Sequence, residues 1–144
     1  MINVDPDGLQ RLAEIYNQRF NDFVIEENSL AVQRVVPSGK NRVKVYYRCQ
    51  AKSGRFFDRT TSVIRYSLWE VLSQRLPKEE VGFRLYAMST SITDVLMAIR
   101  QQAEVFLTGD DVFIDGITGE YVQILCRPNS IGWYGSISLR VTSP

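Results

Sequence analysis

Apolar and polar positions alternate most cleanly over residues 42–51. Val43, Val45, Tyr47, Cys49 and Ala51 share one side, and Arg42, Lys44, Tyr46, Arg48 and Gln50 share the other. A period of two predicts a half-buried strand. Residues 29–36 predict a strand before it, through Leu30, Val32 and Val35-Val36, and 37–41 (Pro-Ser-Gly-Lys-Asn) predict the turn between them. Ser53-Gly54 breaks the pattern, and the β-branched run 60–66 predicts the return strand. Upstream, Leu9, Leu12, Ala13, Tyr16 and Phe20 fall three and four apart, the mark of a helix, with Asp5 as its cap and Pro6 at its first turn. Phe23–Ile25 suggests a short strand.

The second half follows the same grammar. Ser67 with Glu70 three residues on makes a capping box for a short helix that Pro77 ends. Residues 81–88 alternate as a strand. Ser91–Asp94 opens the strongest amphipathic pattern, Ile92, Val95, Leu96, Ile99 and Ala103. Short strands are expected near 105–107 and 111–114, then a turn flanked by Gly116 and Gly119, then a hairpin of 120–127 and 134–142 bent by Pro128 and Gly132.

The two halves share a spacing. Cys49, Ser53 and Phe56-Phe57 recur as Cys126, Ser130 and Trp133-Tyr134 at a constant offset of 77 residues. Val45-x-Tyr47 before the first cysteine answers Val122-x-Ile124 before the second. The fold expected is α+β, as tandem helix-plus-antiparallel-hairpin repeats packed in one body, with halves 1–76 and 77–144. In each half the paired aromatics are expected in a turn, either with one ring inward and one exposed for contact or with both buried as plugs of their own hairpin.

Chemistry is sparse. The chain has no histidine, which removes the commonest general base and the commonest metal ligand. Its two cysteines, on apolar strand faces, read as buried free thiols and form no zinc set. No phosphate loop or dinucleotide fingerprint occurs. Asp110, Asp111 and Asp115 are the remaining acid–base candidates. Asp111-x-x-x-Asp115-Gly116 has only part of a calcium loop. The expectation is therefore no catalytic residue, no cofactor and no metal. No apolar run is long enough for a membrane span, and the first residues have no secretory pattern.

Charge adds one positive feature. The formal net charge is +1, yet residues 31–66 hold nine bases against Asp58, a balance of +8. Residues 101–126 hold Glu104, Asp110, Asp111, Asp115 and Glu120 with no base, −5. Such polarity suits contact between unlike surfaces. The expected interface residues are Arg42, Lys44, Arg48, Lys52, Phe56, Phe57, Asp110, Asp111, Asp115, Trp133 and Tyr134. A basic strand with Tyr46 among its cations is also how β-modules bind nucleic acid, the alternative for 42–52.

The C-terminal half, with Leu107, Asp110, Asp111 and Val112 at a strand opening and Ser130, Gly132, Tyr134, Gly135 and Ser136 in the closing hairpin, resembles a small domain of virion structural proteins in large tailed bacteriophages. The first half matches more loosely, through Ser53-Gly54 and Phe57, with Asp58 in place of the second glycine and Asn28-Ser29-Leu30 at the strand opening. The resemblance implies a non-catalytic particle component of head, neck or tail, located in the virion. Its partners would be copies of itself or other virion proteins.

Overall fold

The structure is a computed structural model that describes residues 6–19, 29–80 and 82–144. The chain is mixed α+β and forms two compact units. The first closes at Arg65 and takes in Pro128–Gly132, and the second holds Tyr66–Arg127 and Trp133–Pro144. The sequence division at 76/77 falls inside the second unit.

In the first unit, helix α1 (Pro6–Arg19) precedes strands β1 (Leu30–Gly39), β2 (Arg42–Gln50) and β3 (Phe56–Ile64), an antiparallel sheet ordered β1-β2-β3. The alternation of β2 reads directly in the fold. Val43, Val45, Tyr47 and Cys49 are fully buried, while Arg42, Lys44 and Arg48 are exposed. Leu12, Ala13 and Tyr16 of α1 join this core with Val32, Val35, Val63 and Ile131. Each such aliphatic side chain contributes roughly 1.5–3 kcal/mol on burial. The Tyr47 hydroxyl and Thr61 Oγ1 share a buried hydrogen bond of 2.7 Å, which satisfies both polar groups inside the core.

Arg65 anchors Pro128–Gly132 to this unit. Its Nη1 donates to the Pro128 and Ser130 carbonyls at 3.1 and 3.4 Å, and its Nη2 to the Lys40 carbonyl at 3.1 Å. Arg11 adds bonds to the carbonyls of Gly132 and Ile64.

The second unit contains β4 (Tyr66–Ser67), α2 (Leu68–Arg75), β5 (Phe83–Tyr86), α3 (Ile92–Ala103), β6 (Val112–Thr118), β7 (Tyr121–Cys126), β8 (Trp133–Tyr134) and β9 (Ser136–Thr142). Its main sheet runs β5-β9-β7-β6, with β5 and β9 parallel and the other pairs antiparallel. Both expected N-caps form: Ser67 Oγ accepts from the Glu70 N–H and Ser91 Oγ from the Asp94 N–H. Leu68, Leu72, Val95, Ile99, Ile124 and Leu139 centre a core of their own.

Several elements differ from the sequence expectation. β1 runs through Pro37 to Gly39, because an edge strand can hold a proline whose missing donor faces away from its partner. β3 begins at Phe56, so the phenylalanine pair belongs to a strand and the turn lies at 52–54. Residues 105–107 form no strand, although Val105 and Leu107 are buried. Gly116 sits at a register shift within β6, and the turn is Gly119-Glu120. Trp133-Tyr134 makes β8, which pairs parallel with β4. The expected Asp5 cap, Phe20, the Phe23–Ile25 strand and Val81 lie outside the described residues.

Cys49 and Cys126 are both buried free thiols on the middle strand of an antiparallel trio. Cys49 stands opposite Leu30 of β1 and Phe57 of β3. Cys126 stands opposite Val112 of β6, and its N–H donates to the Gly135 carbonyl beside β9 at 2.9 Å.

Candidate interaction surface

The core claims one side of β1-β2-β3, and strand alternation turns the other side to solvent. Cross-strand register then decides which outer side chains meet. Arg34 stands opposite Tyr46, Val36 opposite Lys44, and Arg48 opposite Asp58. The Arg34 guanidinium lies over the Tyr46 ring at 4.3 Å. Arg48 Nε donates to Asp58 Oδ1 at 3.0 Å, and its guanidinium lies 5.9 Å from the centre of the Phe56 ring. The bonded Asp58 carboxylate holds the Arg48 pKa above its usual value. Phe56 and Ile64 are 57% and 55% exposed. Asp58 is the only acid in these three strands. The face is therefore basic, through Arg34, Arg42, Lys44 and Arg48, with aromatic and aliphatic groups set among the cations. Lys52 extends it into the β2–β3 turn and is exposed.

The remaining expected interface residues divide by burial. Phe57 turns inward, half-buried against the first core, with the Arg55 and Arg59 guanidinium groups over its ring at 4.8 and 5.7 Å. Trp133 is 7% exposed and packs in the second core with its ring centre 5.9 Å from that of Tyr66; Tyr134 is half-buried. Trp133 therefore offers no surface to a partner. Asp111 is 1% exposed and is likewise removed from the interface. Its Oδ2 accepts from the Thr108 N–H at 3.2 Å and from Thr108 Oγ1 at 3.4 Å. That is side-chain closure of the turn that leads into β6. Asp110 and Asp115 are exposed. Glu120 is engaged by Arg140 at 2.9 Å. The acidic stretch thus presents Glu104, Asp110 and Asp115 without an ion pair among the described residues.

Arg34, Val36 and Ile64 belong to the exposed face and were not expected there. The signal for Arg34 was weak because a register shift between Val32 and Arg34 interrupts the alternation of β1.

No three His, Cys, Asp or Glu side chains converge on a metal-sized site among the described residues. A groove of about 400 Å³ in the second unit lies between Tyr86, Met88, Asp94, Met97 and Gln102. Its one acidic side chain, Asp94, accepts from Ser89 Oγ at 2.5 Å and stands at the N-terminus of α3. The groove brings together no nucleophile and base. No helix among the described residues is long and apolar enough to cross a membrane. No protein-family model, curated protein or solved structure matches the chain.

Proposed function

We propose that the chain is a non-catalytic structural protein of a tailed-bacteriophage virion, a head, neck or tail component that works through protein–protein contacts. The observation that carries the reading is the outer face of β1-β2-β3, where four cations surround Tyr46 and the exposed Phe56 and Ile64 with Asp58 as the only acid. Exposed pairs contribute only about 0.2–1 kcal/mol each. Burial of Phe56, Ile64 and the ring of Tyr46 must supply most of the affinity, and the cations set orientation and rate. An acidic neighbour fits this face, whether another virion protein or the Glu104, Asp110 and Asp115 region of a further copy. The constant cysteine spacing supports a second element of the proposal, that the two halves are copies of one helix-and-meander unit. The resemblance to virion domains supports the location.

The test is reversal of Arg42, Lys44 and Arg48 to Glu. These side chains are exposed, so the protein should stay folded by circular dichroism and be lost from purified particles in a mass-spectrometric inventory. Normal incorporation of the triple variant would overturn the proposal.

The stacking of Arg34 on Tyr46 favours a second reading, a nucleic-acid-binding accessory protein, since bases also stack on such pairs. Retention of the wild type on single-stranded DNA that falls steeply with salt, and is lost in the triple variant, would establish it.

A further inference from the structure

Edge strands carry unpaired main-chain groups, and proteins obstruct them to prevent unwanted pairing. In the three- and four-stranded sheets, β1, β5 and β6 each carry an obstruction. β1 has Pro37 and two register shifts. β6 has a shift between Ile114 and Gly116. On β5 the outward groups are taken. The Arg84 N–H donates to the Pro77 carbonyl at 2.8 Å, and the Gln102 amide bonds both the N–H and the carbonyl of Tyr86.

β3 is different. All nine residues pair with β2 in unbroken register, and none is glycine or proline. The Arg65 N–H donates to the Asn41 carbonyl at 2.7 Å, which fixes the alternation of the ladder. Odd-numbered residues direct their main-chain groups to β2, so those of Asp58, Thr60 and Ser62 point outward. No hydrogen-bond partner meets these outward groups among the described residues. All three residues are exposed. The second unit shows the same position filled. There β9, the third strand of the trio β6-β7-β9, has its outer edge paired with β5.

We propose that β3 pairs antiparallel with β3 of a second copy, about a two-fold axis at Thr60. The sequence is self-complementary in that register. Phe56 faces the partner's Ile64, which joins the two large apolar side chains that the strand leaves exposed. Thr60 faces the partner's Thr60, and Asp58 faces the partner's Ser62. Aromatic–aliphatic and Thr–Thr pairs of this kind stabilise antiparallel strands. The neighbouring registers are worse. An axis at Asp58 sets carboxylate against carboxylate, one at Arg59 sets guanidinium against guanidinium, and one at Thr61 carries Phe56 past the end of the opposing strand. The product is a continuous six-stranded sheet that joins two basic faces on one side. The inference rests on the assembly reading above and names its partner as a second copy; its hydrogen bonds are made along the strand's edge, it draws Phe56 and Ile64 from the face, and it leaves Arg42, Lys44 and Arg48 unused.

Sedimentation of the full chain should give twice the 16.5 kDa chain mass. Thr60→Asp, which places two carboxylates together at the axis, should return it to one chain mass with an unchanged circular dichroism spectrum. Opposed residues in a hydrogen-bonded antiparallel pair lie about 5.5 Å apart at Cα, within disulfide range. Thr60→Cys should therefore cross-link to itself on oxidation, and the native thiols are buried. Ser62→Cys alone should not cross-link, while a mixture of Asp58→Cys and Ser62→Cys chains should. A single-chain mass at every concentration, a dimer that survives Thr60→Asp, or self-linking of Ser62→Cys as fast as Thr60→Cys would each overturn the proposal. The Arg42, Lys44, Arg48 triple variant should still dimerise, so failure of the basic-face reading and failure of this one give different results.

Discussion

The side chain of Gln102 is paired with the main chain of Tyr86. The Tyr86 N–H donates to Gln102 Oε1 at 2.9 Å, and Gln102 Nε2 donates to the Tyr86 carbonyl at 2.5 Å. A primary amide is chemically a peptide group, so α3 supplies β5 with the equivalent of one residue of a neighbouring strand. Gln102→Ala should release both groups to solvent. The Tyr86 amide should then exchange hydrogen at least tenfold faster, with a stability loss of about 0.5–1.5 kcal/mol. Unchanged exchange at Tyr86 would show that the pairing contributes nothing in solution.

Arg65 is 7% exposed and reaches the carbonyls of Lys40, Pro128 and Ser130. Arg65→Ala should lower stability by on the order of 1–3 kcal/mol, because one buried and two partly buried carbonyls lose their donor at once. Arg65→Lys should recover little, since an ammonium has no planar fork to span separate carbonyls. Urea unfolding of the two variants measures both effects. Full recovery by lysine would show that charge alone matters there.

Gly82 lies where a side chain cannot fit. A Cβ would stand 2.5 Å from the Ser138 carbonyl oxygen, main chain that cannot swing aside. Gly82→Ala should force β5 from β9 and cost about 1–3 kcal/mol, as overpacking does elsewhere. Thermal unfolding reads the loss, and an unchanged midpoint would refute the close approach.

Burial raises the pKa of Tyr47, only partly offset by its bond to Thr61. The folded state therefore favours the protonated phenol. Its contribution is fully present below the unfolded tyrosine pKa of about 10 and is lost as pH rises through the folded value. Stability should be insensitive to this residue between pH 7 and 9 and fall above about pH 10. Tyr47→Phe should cost about 1 kcal/mol at neutral pH, by leaving Thr61 without its partner, and should flatten the alkaline fall. A fall of equal steepness in the variant would assign the transition to another group.

Local pattern made much of this molecule legible. The alternation along Arg42–Gln50 set which side chains face solvent, because a strand has only two sides. Ser67 and Ser91 announced two helix starts, because an N-terminal turn needs an acceptor close in sequence. The mixed α+β class and the cationic character of the exposed face follow from such short-range rules. What the sequence left open depends on distant partners. Trp133 and Phe56 occupy matching places in the spacing, yet one is buried beside Tyr66 and the other lies in solvent. No local pattern records that β8 pairs with β4, or that Asp111 closes a turn instead of facing a neighbour. The state of each edge is also tertiary. Whether β5 is plugged by Gln102 and β3 left open depends on which side chain, remote in sequence, arrives beside the strand, and only the folded chain brings them together.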